Sequence, residues 1–270
     1  MFADSHTHLE FPDFDADREK VFARTLESGV RYIMAIGSGT GPHHLRAGLE
    51  MAEGREDWVF PTIGIHPHEA QLATEEHFAQ LDQLATNPSV VAVGEIGLDY
   101  HYDHSPRDVQ RTVFLRQLEL ARRSGLPVVI HCREAWPDCL DILAQHWKGV
   151  GLGGILHCFS GSLEDARRGL DCGFYISFAG NLTFPKATAL REVAAQIPRE
   201  RLLIETDCPF LAPVPRRGKR NEPSFVPFVA QQLATIHSVS AEDMGHFTTR
   251  NFLKFLETAR SRHQPLRPEK

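Results

Sequence analysis

The feature that most constrains this chain is a repeated alternation. Short apolar runs fall at 2–6, 31–37, 59–66, 90–97, 127–132, 153–159, 173–178 and 201–208. Helix-like segments separate them at 18–28, 43–53, 74–86, 107–124, 134–145, 163–170 and 186–196, and two more follow the last run at 223–236 and 241–258. The runs are nearly continuous in apolar residues rather than strictly alternating, the pattern of strands covered on both faces. Glycines such as Gly29, Gly54 and Gly125 stand where the helix-like segments stop, and Thr74 stands where one starts, the expected punctuation of helix ends. Eight strand–helix units in about 250 residues predict an α/β (β/α)8 TIM barrel as a single domain over 1–258, with a polar tail at 259–270. A doubly wound sheet is the alternative architecture for the same alternation.

Composition narrows the function classes. Of 270 residues, 42% are hydrophobic and 24% charged, which suits a globular chain with a substantial core. The net charge of −6 excludes a generally basic nucleic-acid coat, so contact with a polyanion must be local. No apolar run reaches the roughly 18 residues of a membrane span, and the start, MFADSHTH, lacks the basic and apolar regions of an export signal. The five cysteines form no CxxC pair; reduced thiols and a cytoplasmic location are expected. No segment resembles a coiled coil, so a monomer is the default.

In such a barrel, chemistry sits where the strands end. The apolar runs end in His6-Thr7-His8, His66, Glu95, His131, His157 and Glu205-Thr206-Asp207. Residues i and i+2 of an extended segment point the same way, so His6 and His8 can reach one ion together, as can Glu205 and Asp207. Closure of the barrel sets strand 8 beside strand 1, and Asp207 joins the two histidines. Glu95, with two oxygens, can bridge two ions, and His131 and His157 can hold the second. A lone histidine at any of these places reads as a core or loop residue. The joint pattern does not, because burying so many imidazoles and carboxylates without a cation is costly. Cys132, Cys158 and Cys208 each follow one of these positions, and alternation turns them toward the helices as small apolar residues. The histidines in helix-like and loop segments, among them His101 and His104, read as surface residues.

The stretches DSHTHL (4–9), GIHPH (64–68), GEIGLDY (94–100), HCRE (131–134), HCFSG (157–161), ETDCPFLAP (205–213) and RGKRNEP (217–223) resemble, in order, the TatD family of metal-dependent deoxyribonucleases. The resemblance runs from residue 2 to about 257. It implies an amidohydrolase-like barrel in which Glu95 stands where many amidohydrolases carry a carboxylated lysine. It also implies one divalent metal at His6, His8, Glu95 and Asp207, and a second at Glu95, His131 and His157. The implied activity is 3′-to-5′ exonuclease action on single-stranded DNA, and in some members RNA, with magnesium, manganese or zinc; the donor set also suits nickel. His101 and Cys208 depart from residues often found in the family, and neither departure removes an implied ligand.

Hydrolysis of a phosphodiester by two cations about 3.5–4 Å apart needs a group to orient water and accept its proton. Asp207 is the candidate base, with Glu95 between the ions, Glu205 behind them and His66 facing the phosphate. Arg216, Arg217, Lys219 and Arg220 follow strand 8, and Arg217, Lys219 and Arg220 are expected to hold substrate phosphates in a salt-sensitive way. Asn221 and Glu222 are expected to order that loop, and Phe159 or Phe184 to stack a base. Two other readings remain: an ester or amide hydrolase on the same centre, such as a D-aminoacyl-tRNA deacylase, and a non-catalytic nucleic-acid-binding adaptor.

Overall fold

The computed structural model describes residues 1–261. Eight parallel strands succeed one another around one sheet in chain order: β1 (Phe2–Thr7), β2 (Val30–Ala35), β3 (Val59–Ile63), β4 (Ala92–Asp99), β5 (Val128–Arg133), β6 (Gly154–Leu156), β7 (Phe174–Phe178) and β8 (Leu202–Ile204). Helices α1 (Arg18–Glu27), α2 (Ala47–Ala52), α3 (Glu75–Leu84), α4 (Arg107–Ser124), α5 (Trp136–His146), α6 (Leu163–Asp171), α7 (Thr188–Ala194), α8 (Val226–His237) and α9 (Ala241–Ser261) lie outside them. This is the expected TIM barrel, not a doubly wound sheet.

Local chemistry explains the boundaries. Gly125 ends α4 at φ 64°, a left-handed conformation that costs glycine little. Ser162 and Asp165 cap the start of α6 reciprocally. All eight residues of β4 are buried, which explains why its sequence shows no polar alternation. Four apolar runs outlast their strands, at β2, β3, β6 and β8. β6 stops at Leu156 and β8 at Ile204 because the chain then turns across the barrel mouth, with Cys158 at φ 42° and Asp207 at φ 56°. α9 continues past the expected stop at 258 to Ser261; the rest of the expected tail, 262–270, lies outside the described residues. No helix among the described residues is long and apolar enough to cross a membrane.

The barrel closes between β1 and the segment after β8. Thr7 bridges Cys208 in parallel, His8 N donates to Cys208 O at 3.0 Å, and Asp207 N donates to His6 O at 3.0 Å. Fully buried Asp4 pins this seam by accepting Thr206 N at 2.9 Å and Thr206 Oγ1 at 2.6 Å. The two ends of the sequence signal, HTH and ETD, therefore meet at one place.

Candidate metal centre

The seam sets four donor atoms around one point. His6 Nε2 and His8 Nε2 lie 3.1 Å apart. Glu95 Oε2 lies 3.4 Å from His6 Nε2 and 3.5 Å from His8 Nε2, and Asp207 Oδ1 lies 3.8 and 3.6 Å from the same two nitrogens. Ligands about 2.0–2.1 Å from a tetrahedral zinc ion stand roughly 3.3 Å apart, so the cage is of cation size. The other oxygen of Glu95 faces a second set. Oε1 is 2.8 Å from both His131 Nδ1 and His157 Nε2, which are 3.3 Å from each other. His66 Nε2 approaches the same oxygen at 3.5 Å. One carboxylate thus stands between two sets of nitrogen donors, and the donor chemistry fits a divalent cation at each end.

Three of the four histidines in these cages are held from behind by a carboxylate. His8 Nδ1 meets Glu10 Oε1 at 3.0 Å, His157 Nδ1 meets Glu205 Oε1 at 3.2 Å, and His131 Nε2 meets Asp99 Oδ2 at 2.9 Å. Such a contact fixes which ring nitrogen carries the proton and aims the other lone pair at the cage. Glu205 is itself fixed by Cys158 N at 2.6 Å. Asp99 Oδ2 also takes His68 Nε2 at 2.9 Å, while its Oδ1 accepts the backbone N–H of His101 and Tyr102 at 3.0 and 2.8 Å.

α4 places these groups. Its buried Gln110 accepts Asp99 N at 2.8 Å and donates to Asp99 O at 3.0 Å. Gln117, two turns on, treats Ile65 alike at 2.7 and 3.0 Å, which fixes the approach to His66. Two glycines make room. A Cβ at Gly97, where φ is 143°, would lie 2.0 Å from His131 O, and one at Gly39 would lie 2.4 Å from Glu10 Oε1.

The electrostatics follow from burial and from the crowd of imidazoles. Burial would raise Glu95, but His157, His66 and His6 hold its carboxyl well below the ordinary range. Burial pushes His6 down to about 4 and His66 down to about 3, so both rings are neutral at neutral pH. Burial likewise pushes Asp207 up to about 6, against the pull of His157 and His8. Asp207 also sits in the left-handed region, and Glu134, Cys158 and Leu211, which share that conformation, line the same cavity. Strained backbone gathers at functional sites. The cavity holds about 890 Å³ over the cages.

Sequence reasoning missed several of its walls. His68, Asp99, Tyr102 and Arg133 all face the cavity. The HPH spacing at 66–68 repeats the i, i+2 logic of His6 and His8, and would have found His68. His104, expected at the surface, lines the cavity and stacks on Tyr102 with ring centroids 5.5 Å apart. Cys208 is buried away from the cavity, whereas buried Cys132 and half-buried Cys158 both border it, the latter where the backbone leaves the strand alternation.

The basic loop lies off the cavity lining. Arg220 is bound to Asp17 at 2.7 and 2.9 Å and lies 4.6 Å over Phe14. Arg217 covers Phe184 at 3.9 Å, and Lys219 is exposed. Asn221 and Glu222 do bind the loop down, through Phe210 O at 2.6 Å and Arg24 Nη2 at 2.6 Å. Phe159 is fully buried against Trp136.

A parallel eight-stranded barrel with histidine and carboxylate clusters at its carboxyl end defines a metal-dependent hydrolase. The sequence comparisons agree with that class. The chain belongs to the TatD family: the family model described as TatD related DNase matches residues 3–257. It is 45% identical over 251 residues to the uncharacterized metal-dependent hydrolase YabD of Bacillus subtilis, covering 93% of this chain and 97% of that protein. It is 35% identical over 253 residues to the 3′-5′ ssDNA/RNA exonuclease TatD of Musicola paradisiaca, covering 92% and 95%. Among solved structures, the TatD homolog YjjV of Escherichia coli superposes with a TM-score of 0.88 at 30% identity, covering 94% of this chain and 97% of that one.

Proposed function

We propose that this chain is a two-cation phosphodiesterase that removes nucleotides from the 3′ end of single-stranded DNA or RNA. The observation that carries the reading is Glu95, whose Oε2 serves the His6–His8–Asp207 cage and whose Oε1 serves the His131–His157 cage. Relatives named as 3′-5′ ssDNA/RNA exonucleases support it.

His6, His8, Glu95 and Asp207 would hold one divalent cation, and Glu95, His131 and His157 the other. Bound there, magnesium, manganese, zinc or nickel would lower the pKa of a water and stabilise charge on the phosphate under attack. The chain's own groups do the rest. Asp207, with its carboxyl pushed up to about 6, orients the water and takes its proton. Glu205 and Asp99 hold His157 and His131 in register. His66 is neutral and turned into the cavity, so it contacts a phosphate oxygen or the departing oxygen without presenting a competing charge. Arg133, exposed at the cavity wall, supplies a cation closer to the centre than Arg217 or Lys219, which lie further out on the strand's path. Arg220 orders its loop.

The test is incubation of metal-stripped protein with end-labelled single strands of DNA and RNA, each with magnesium, manganese, zinc or nickel restored. Mononucleotides released stepwise from linear strands, with circles left intact, are expected. Equal cutting of circles, or release of an amino acid from intact aminoacyl-tRNA with no nucleotides, would replace the reading.

A further inference from the structure

Among the described residues two large aromatic side chains are exposed, Tyr102 and, more so, Phe210. It is 53% exposed and lines the cavity beside Asp207. Its ring meets Phe11 edge to face, with centroids 5.8 Å apart, and Phe11 in turn stacks on His8 at 5.0 Å with the planes 9° apart. His8, Phe11 and Phe210 therefore form an aromatic pile that climbs from the first cage to the rim. The pile is braced from below, because Asn221 Nδ2 donates to Phe210 O at 2.6 Å and to Thr206 O at 2.8 Å. An apolar ring held at the mouth of a polar cavity loses free energy to water until something flat covers it.

Charge fixes the direction in which a strand would cross that ring. Around the Tyr100–Tyr102 turn the guanidiniums are mostly neutralised: Arg107, over the Tyr100 ring, pairs with Asp103 at 2.7 Å, and Arg111 pairs with Asp138. Arg133 is the exception, lying 4.8 Å over the Tyr102 ring. Beyond Phe210, in the same loop, Arg216, Arg217 and Lys219 are exposed, and none enters an ion pair among the described residues. One cation can serve one phosphate, whereas three in succession suit the repeating phosphates of a continuing strand.

We propose that Phe210 is the stacking platform for the base of the first nucleotide that stays on the strand, with the departing nucleotide turned toward Arg133 and Tyr102. This rests on the nuclease reading and adds to it a polarity and a specificity residue. Stacking on an aromatic ring tolerates every base, so the site grips sequence-blind but demands a base at that one position.

Strands lacking the base at either the last or the penultimate nucleotide test this. Phe210→Ala should raise KM roughly 10-fold on an ordinary strand, from the usual size of base–aromatic stacking, and Phe210→Trp should restore it. The Phe210→Ala penalty should vanish when the penultimate base is missing and persist when the last one is missing. In stopped-flow mixing before turnover, 2-aminopurine at the penultimate position should be quenched by wild type and not by Phe210→Ala. A penalty that instead follows the last base overturns the proposed polarity. A Phe210→Ala variant with unchanged KM and quenching overturns the platform. If wild type releases no nucleotide from any strand with any cation, the nuclease reading falls first and takes this inference with it.

Discussion

The two oxygens of Glu95 meet unlike surroundings. On the Oε1 side, His131 and His157 come from adjacent strands β5 and β6, and each ring is backed by a fully buried carboxylate, Asp99 or Glu205. On the Oε2 side, the cage is assembled across the barrel seam, and among the described residues only His8 is backed, by Glu10, while His6 Nδ1 has no partner. The last arm there is Asp207, on a left-handed backbone, whose carboxylate, unlike the rings of His131 and His157, makes no hydrogen bond among the described residues. The Oε1 side is thus a preset template, whereas the Oε2 side carries the one arm with room to move. Under the proposed mechanism Asp207 both touches a cation and takes a proton, a double task that suits the less constrained side.

The largest expected effect tests whether the sides share one bridge. Glu95→Gln removes a charge from both cages, so cation content measured after gel filtration should fall at both. Activity should drop by at least about 10³-fold, the loss of several kcal/mol of charge stabilisation. A variant that keeps one cation at wild-type affinity would show that Glu95 serves a single cage. Asp207→Asn comes next. Losing a positioned base costs roughly 10²–10⁴ in kcat, and the Oε1-side cation should stay bound. Equal loss of both cations would mean the two sides are not separable in this way.

The backing carboxylates sharpen the comparison. Asp99→Asn should weaken the Oε1-side cation by about 10–100-fold and spare the other, and Glu10→Gln should do the reverse. Calorimetric titration with manganese resolves the two sites, and identical isotherms for the two variants would undo the distinction.

These backing groups also show where sequence reading stops. The strand-end residues were legible because period-two alternation and barrel closure decide which side chains converge. That is how His6, His8, Glu95, His131, His157 and Asp207, which the structure brings together, could be picked from 15 histidines and 35 acids. Asp99 and Glu10 gave no such signal. Asp99 reads as one more acid in a charged loop, and its role depends on a ring 32 positions away. The basic loop misled for the same reason: composition counts four cations, but only the fold sets Asp17 against Arg220, 203 positions apart. Charge clusters are local in sequence, whereas their neutralisation is not.

The smallest effects separate the cations that steer substrate from those that hold the loop. Lys219→Ala should lower the salt dependence of single-strand binding by about one unit of slope and leave thermal stability unchanged. Arg220→Ala should do the opposite, because its guanidinium is spent on Asp17. Acid should reveal that pair. The Arg220 hydrogen bond, helped by Arg24, lowers Asp17 to about 2, below the roughly 3.9 of a free aspartate. A depressed carboxyl contributes its full stability above the unfolded value and loses it as pH falls toward the folded one. The melting temperatures of wild type and Asp17→Asn should therefore differ at pH 7 and converge between about pH 4 and pH 2. The gap is expected to be small, because the pair is partly solvated. A gap that stays constant across that window would mean the Asp17–Arg220 contact does not order the loop.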